Sequence, residues 1–306
     1  MKRDFLTVLD FTTREIESLL VRARELKAMQ KKGVENNPLK GKTLGLLFEK
    51  QSTRTRLSFE VAAIQLGGHS IYLSPHQIQL GRGEAIQDTA RVFARYLDAI
   101  VIRTYDHGMV EEWAKYSSIP VINGLTDMHH PCQVISDMLT ILEKKDKVSG
   151  IRLAYIGDGN NVAHSLIEGA AVMGMHIRAA SPAGYDPDNG IVSKAREIAK
   201  ETGATVEIMR EPAGAVVDAD VVYTDVWTSM GQEGEEDERK KSFKKYQVNR
   251  DLMKPAKDDA IIMHCLPAHR GEEITADVME SPQSVIFDQA ENRLHMQKAL
   301  LEMLIR

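Results

Sequence analysis

The sequence predicts an α/β protein made of two doubly wound parallel-sheet domains. Three observations point there. At roughly 150 residues per domain, 306 residues make about two domains. Short β-rich runs alternate with helical patterns, the mark of parallel strands joined by crossover helices. The alternation also comes in two series, separated by a helical pattern at 131–147 that ends in the charged turn Lys144-Lys145-Asp146-Lys147, with Gly150 close behind. The domain boundary is therefore expected there, with residues 1–147 in the first domain and 148–288 in the second.

A long helical pattern at 12–31 opens the first series. Strands are expected at 43–48, 70–73, 98–102 and 120–122, with helices at 54–66, 84–96 and 108–117 between them. The second series reads as strands at 152–156, 176–180, 205–209, 221–224, 260–264 and 285–287, with helices near 162–174 and 190–202. A helical pattern at 290–305 closes the chain. The run 232–241 (QEGEEDERKK) is the one strongly charged stretch and reads as a solvated, mobile loop.

Composition narrows the function classes. Thirty-nine basic against 44 acidic residues give a net charge of −5, without the electrostatic footprint of a nucleic-acid binder. With 43% hydrophobic and 27% charged residues, the chain is an ordinary globular protein rather than a disordered one. No apolar stretch approaches the roughly 18 residues of a spanning helix, and Asp4 and Asp10 interrupt the N-terminal segment where a signal peptide would have its apolar core. A cytoplasmic protein with no membrane partner is expected. The two cysteines, Cys132 and Cys265, form neither a disulfide framework nor a C-x-x-C pair.

In open α/β sheets, ligands gather beyond the carboxyl ends of the strands, so the polar residues just after each strand carry the functional reading. Ser52-Thr53-Arg54-Thr55-Arg56 follows the first strand and opens a helix, with Ser52 or Thr53 at the N-cap. A helix N-terminus with hydroxyls and arginines suits phosphate, although the element is not a Walker A loop. Arg103 ends another strand and can join the same site. His129-His130-Pro131-Cys132-Gln133 opens a further helix at its proline; His130 and Gln133 suit hydrogen bonding to a carbonyl and an amide.

Gly157-Asp158-Gly159-Asn160-Asn161 resembles a dinucleotide loop, but Val162 stands at the third glycine position and no acidic residue ends the next strand. Its glycines are expected to let the backbone approach a small ligand, with Asn161 as a polar contact. Asp225 suits a cationic amine, and Ser229 with the backbone around Gly231 suits a carboxylate. His264-Cys265-Leu266-Pro267 follows a strand, yet no companion pair has metal-ligand spacing. No metal and no cofactor are expected. Arg293, at the start of the last helix, can reach back to the anion site or cover surface.

Four of these elements resemble the aspartate/ornithine carbamoyltransferase family in its ornithine branch. Ser52-Thr53-Arg54-Thr55-Arg56 and His130-Pro131-Cys132-Gln133 look like its carbamoyl phosphate signatures; Asp225-x-x-x-Ser229-Met230-Gly231 and His264-Cys265-Leu266-Pro267 look like its ornithine signatures. The resemblance covers essentially the whole chain. It implies an interdomain active site, a C-terminal helix (289–306) packed back on the first domain, and a homotrimer in which a neighbour's Gln79 completes each site. It implies carbamoyl transfer from carbamoyl phosphate to the δ-amine of L-ornithine, giving L-citrulline and phosphate, in arginine and citrulline metabolism.

By the same resemblance, Ser52, Thr53, Arg54, Thr55, Gln79, Arg103, His130, Gln133, Cys265, Leu266 and Arg293 hold carbamoyl phosphate. Asn161, Asp225, Ser229 and Met230 hold ornithine, and Arg54, Arg103, His130 and Cys265 are the catalytic set. The alternatives are carbamoyl transfer to putrescine or an acylated ornithine, or a catalytically silent paralogue; a dinucleotide oxidoreductase fails at Val162.

Overall fold

The computed structural model describes residues 2–74 and 83–305. It divides into two compact units, Met1–Leu139 with Asn292–Arg306, and Thr140–Glu291. In the first unit, α1 (Thr13–Lys31) is followed by β1 (Thr43–Phe48), α2 (Arg54–Gln65), β2 (His69–Leu73), α3 (Ile86–Phe93), β3 (Ala99–Arg103), α4 (His107–Tyr116), β4 (Val121–Leu125) and α5 (Pro131–Lys145), the last running on into the second unit. A reciprocal Thr12–Glu15 capping box starts α1, which buries Ile16, Leu19, Leu20, Ala23 and Leu26 at helical spacing.

All pairings in the first sheet are parallel, in the order β2-β1-β3-β4. Every residue of β3 and β4 is buried, Asn123 and Arg103 included, which explains why the stretches 99–102 and 121–122 read as unbroken apolar runs rather than alternating ones. Strand order reverses between β1 and β3, where Phe48 pairs with Arg103 and the Glu49 amide donates to the Arg103 carbonyl at 2.8 Å. That is the crevice in which such sheets bind ligands.

In the second unit, β5 (Arg152–Ile156), α6 (Asn161–Met173), β6 (His176–Ala180), α7 (Asn189–Thr202), β7 (Thr205–Met209), α8 (Pro212–Val216), β8 (Val221–Thr224), α9 (Glu236–Phe243), α10 (Arg250–Met253), β9 (Ile261–His264), α11 (Ala276–Met279) and α12 (Ile286–Leu304) build a five-stranded parallel sheet of order β7-β6-β5-β8-β9. Its reversal lies between β5 and β8, where Ile156 pairs with Thr224. Helix α6 is buried along nearly its full length and ends at Gly174, whose φ of +69° is the left-handed cap conformation that glycine adopts freely.

The last stretch of α12 belongs to the first unit, as the resemblance implies. There Lys27 Nζ donates to Asn292 Oδ1 at 2.7 Å, Arg22 grips Glu302, and Lys298 Nζ reaches Gln30 and Gln65 at 2.9 and 2.8 Å.

Two local expectations are corrected. Residues 285–287 do not form a strand. The Val285 amide donates to the Ile262 carbonyl, but pairing stops at a single Ile262–Ser284 bridge, and Ile286 starts α12 with its side chain buried. Run 232–241 is solvated over most of its length, as expected, but it is not a loop: Glu233–Glu235 forms a 3₁₀ turn and Glu236 onward is α9, with Arg239 its one buried and bonded side chain. No helix among the described residues is long and apolar enough to cross a membrane.

Candidate active site

The first unit gathers cationic groups at the β1/β3 crevice. Helix α2 begins at Arg54, and the hydroxyl that caps it is that of Ser52, which accepts the Thr55 amide at 3.1 Å; Thr53 makes no side-chain cap. Capping from Ser52 leaves the neighbouring amides of the first turn and their dipole for an anion. The second arginine of the element turns away: Arg56 pairs with Glu60 at 2.9 Å and lies 3.7 Å over the Tyr72 ring.

Arg103, at the end of β3, is buried, as are His130, Gln133, Thr55 and Arg293. Arg293 Nη2 donates to Thr55 Oγ1 at 2.7 Å and Arg293 Nη1 to Gln133 Oε1, while Gln133 Nε2 donates to Asp137 Oδ1 at 2.8 Å. Arg293 therefore faces the cluster and is no surface cover.

Burial holds the His130 imidazole well below its ordinary pKa, and the positive charges of Arg293, Arg103 and Arg54 push it the same way. Charges carried at the end of β3, the start of α2 and on α12 thus act on one neutral histidine. Cys132, beside it in sequence, is inert: its thiol donates to the Asn123 carbonyl at 3.3 Å, and burial, opposed by Arg293, pushes its pKa up to about 12. Gln79 lies outside the described residues.

The second unit gathers acceptors at the β5/β8 crevice. Asp225, just past β8, is buried. Its Oδ1 accepts from the Val226 amide at 2.8 Å and the Cys265 thiol at 2.9 Å, and its Oδ2 accepts from Asn160 Nδ2 at 2.8 Å. Asn160 was not singled out from the sequence, where Asn161 was chosen. It caps α6, taking the Val162 and Ala163 amides on Oδ1 at 3.0 and 3.2 Å, and so ties the start of that helix to Asp225. Its signal was visible: an Asn immediately before an apolar helical pattern is an N-cap.

Gly159 also has a different reason from the one expected. A Cβ there would lie 2.1 Å from the Pro187 nitrogen and 2.3 Å from the Asp186 carbonyl carbon, so the glycine admits a neighbouring backbone rather than a ligand.

In the loop that follows Asp225, the Ser229 amide donates to Gln232 Oε1 at 3.1 Å and the Gly231 amide to both Glu233 carboxylate oxygens at 3.0 and 3.1 Å. Two backbone donors expected to meet a substrate carboxylate thus hold side chains of their own loop. Met230 is exposed. Arg239 clamps the loop from behind: Nη1 donates to Asp158 Oδ2 at 2.9 Å and to the Trp227 carbonyl at 3.0 Å, and Nε to Glu235 Oε2 at 2.9 Å. Neither Asp158 nor Arg239 was identified from the sequence, because they lie 81 residues apart and Arg239 sits within a run that looks solvated.

His264, wholly buried at the end of β9, accepts the Leu266 amide on Nδ1 at 2.8 Å, which places its proton on Nε2, 3.0 Å from Glu273 Oε1. This orders Cys265 and Leu266 beside Asp225. Asp225, His264 and Cys265 each bring a potential ligand atom within 4.8 Å of the others, a grouping that sequence spacing hid; the Asp225–Cys265 and His264–Leu266 bonds already link these groups and their loop.

Residues 3–143 match the family model described as the carbamoyl-P binding domain of aspartate/ornithine carbamoyltransferase, and residues 149–304 the one described as its Asp/Orn binding domain. The ornithine carbamoyltransferase of Anoxybacillus flavithermus is 57% identical over 99% of this chain and 96% of its own length, and that of Oceanobacillus iheyensis 58% identical over 99% and 94%. The solved ornithine carbamoyltransferase of Pyrococcus furiosus has a TM-score of 0.96 at 54% identity, covering 99% of this chain and 97% of that one. The anabolic enzyme of Campylobacter jejuni has a TM-score of 0.93 at 41% identity, covering 99% and 98%. The chain belongs to the aspartate/ornithine carbamoyltransferase family, among the ornithine carbamoyltransferases.

Proposed function

We propose that this chain transfers the carbamoyl group of carbamoyl phosphate to the δ-nitrogen of L-ornithine, giving L-citrulline and phosphate, with the first unit holding carbamoyl phosphate and the second ornithine. The observation that carries the reading is the buried network of Arg293 with Thr55 and Gln133, together with buried Arg103 and with His130, which the charges of Arg54, Arg103 and Arg293 help to keep neutral. Three fixed cations suit a phosphate dianion, and a neutral imidazole donates a hydrogen bond without surrendering a proton.

Ser52, Thr53, Arg54 and Thr55 hold the phosphate at the α2 terminus. Thr55 Oγ1 accepts from Arg293, which orients its own hydrogen toward an oxygen of the substrate. Arg54, Arg103, Thr55 and His130 aim donors at the carbonyl oxygen, where negative charge grows as the amine attacks. Gln133 and the backbone carbonyls of Cys265 and Leu266 accept from the carbamoyl NH₂. The δ-nitrogen attacks the carbamoyl carbon directly, the bond to phosphate oxygen breaks, and the departing phosphate accepts the proton released by the new amide. No enzyme nucleophile takes part.

Asn161, Asp225, Ser229 and Met230 hold ornithine's α-amino and α-carboxylate groups, and Cys265 lines the path of the side chain. The amine, with a solution pKa near 10.4 as in lysine, attacks only as the neutral base, so kcat/KM for ornithine rises from pH 6 to 9. Putrescine has neither α-substituent and would forgo the contacts that Asp225 and the loop are proposed to make with ornithine's α-amino and α-carboxylate groups, so it is expected to be the poorer acceptor.

A homotrimer with Gln79 contributed by a neighbour is part of the proposal. Leu57, Ile64, Ile71, Val92 and Tyr96 of the first unit are all exposed, a number of large apolar side chains that suits a subunit contact. The test is citrulline or carbamoyl-amine formation with L-ornithine, putrescine, N-acetylornithine and L-aspartate in separate assays. Strong preference for ornithine is expected. Preference for another acceptor overturns the reading of Asp225 to Gly231, and no turnover with any amine makes the chain a silent paralogue.

A further inference from the structure

Gln133 lies on α5 one turn before Asp137, and both are buried to within 1% of full enclosure. A glutamine amide can be turned either way round, with oxygen and NH₂ exchanged, and the two faces ask for opposite partners. Here the partners are unambiguous. Arg293 has donors only, and it meets Oε1; Asp137 Oδ1 stands as acceptor to Nε2 at 2.8 Å. One orientation satisfies both, and the reverse breaks both. The carbonyl oxygen has two lone pairs, of which Arg293 takes one, so the fixed amide offers its second to a ligand N–H.

We propose that Asp137 is a positioning residue that locks the Gln133 amide with its oxygen toward the ligand, so that the first unit selects a carbamoyl group over an acyl group of the same size. The inference rests on carbamoyl phosphate occupying this crevice. Arg293 cannot do the locking alone. When a phosphate dianion enters, its charge competes for the Arg293 guanidinium, and the hold on Gln133 Oε1 weakens as binding proceeds. Asp137 lies on the far side of the amide and keeps its grip throughout. An amide released from Asp137 pivots, and its NH₂ then meets the carbamoyl NH₂ donor to donor. A methyl group in the same place asks for no acceptor and is indifferent to the pivot.

The experiment compares carbamoyl phosphate with acetyl phosphate, which has the same phosphate and carbonyl and a methyl in place of the NH₂. KM for carbamoyl phosphate and Ki for acetyl phosphate are measured for the wild-type protein, Asp137→Ala and Asp137→Asn. In Asp137→Ala the carbamoyl phosphate KM is expected to rise about tenfold, the loss of one hydrogen bond to a charged group, while the acetyl phosphate Ki stays within about twofold of wild type by the same reasoning. Asp137→Asn turns its own oxygen to Gln133 and recovers most of the discrimination. Should Asp137→Ala not fold, Asp137→Leu, closer in volume, carries the same expectation.

Equal weakening of both ligands overturns the proposal, since that is damage to the crevice as a whole. Unchanged discrimination also overturns it, since the amide is then held without Asp137. If the wild-type protein binds neither acyl phosphate better than inorganic phosphate, the assignment of the crevice itself fails, an outcome separable from the other two.

Discussion

Both crevices lie where their sheet reverses strand order, yet one is finished with fixed charge and the other with replaceable contacts. At β1/β3, Arg293, Thr55, Gln133 and Asp137 form a buried chain of hydrogen bonds, and the positive charges of three arginines help to keep His130 neutral. At β5/β8, the Asp225 carboxylate is engaged by Cys265, Asn160 and Val226, and the amides of Ser229 and Gly231 hold Gln232 and Glu233. A dianion that must be gripped while its charge changes is best met by donors that need no reorganisation. A flexible amino acid that must enter and leave can instead exchange places with side chains of the protein's own loop.

The sharpest way to break this contrast is at Arg54. Arg54→Ala should lower kcat by about 10²–10³, the usual loss for one preorganised transition-state donor, with the ornithine KM little changed. Steady-state kinetics in both substrates reads the split. Turnover close to wild type would mean that Arg54 does not face the reacting carbonyl.

Next in size is Asp225. Asp225→Asn keeps the shape but replaces the acceptor that meets Cys265 or Asn160 with a donor at one of its two positions. The KM for ornithine should rise by about ten- to a hundredfold, as for the loss of hydrogen bonds to a charged group, while the KM for carbamoyl phosphate stays put. If both constants move together, the two crevices are not separable in the way the hydrogen bonds suggest.

The contrast also explains what the sequence made legible. The phosphate crevice was readable because its parts are local: a hydroxyl and an arginine at a strand-to-helix junction, an arginine ending an apolar strand, and a proline opening a helix after two histidines. Each announces its place without knowledge of the others. Thr53 was a candidate cap alongside Ser52, a choice that one residue of backbone geometry decides. The second crevice was only half readable, since its support crosses long stretches of chain: Asn160 to Asp225, and Asp158 to Arg239. A buried arginine in QEGEEDERKK has the same composition as a solvated one; only the fold supplies Asp158, Glu235, the Trp227 carbonyl and the Tyr185 ring 4.9 Å away. The apolar triplet at 285–287 misled for the related reason that a short apolar run fits a strand or a first helical turn equally well.

The clamp behind the loop gives a prediction in pH. Burial raises the Asp158 carboxyl to about 6, against the pull of Arg239 and with help from the negative charges of Asp225 and Glu235; the Tyr155 hydroxyl, on the adjoining strand, donates to the Asp158 carbonyl. Below pH 6 the carboxyl takes up a proton and its ion pair with Arg239 weakens, so the segment carrying Ser229 to Gly231 loosens.

L-norvaline separates this effect from protonation of the δ-amine, because it keeps ornithine's α-substituents and has no δ-amine. Its Ki against ornithine should rise about fivefold between pH 7 and pH 5, within the range for a weakened charged hydrogen bond, and Asp158→Asn should flatten the profile. The loosening does not come from unfolding at this group. A carboxyl whose pKa is raised by folding stabilises the folded state most at low pH, and that contribution is lost as pH rises from 3.8 to about 6. A flat norvaline profile in the wild-type protein would show that Arg239 holds the loop without Asp158.

The smallest expected effect tests whether the loop's own contacts are stand-ins. Glu233 places both carboxylate oxygens on the Gly231 amide, at 3.0 and 3.1 Å, in the manner of the α-carboxylate that the loop is proposed to bind. If the two carboxylates compete, Glu233→Ala removes the internal occupant and the KM for ornithine should fall by about twofold, because an exposed hydrogen bond of this kind contributes only about 0.5–1.5 kcal/mol. If Glu233 instead holds the loop in its binding shape, the same substitution raises the KM by a similar factor. The sign therefore decides more than the size. A lower KM means that this crevice is built to exchange an internal carboxylate for the substrate's, whereas a higher one means that it is as preorganised as the arginine crevice and that the difference between the two is one of charge alone.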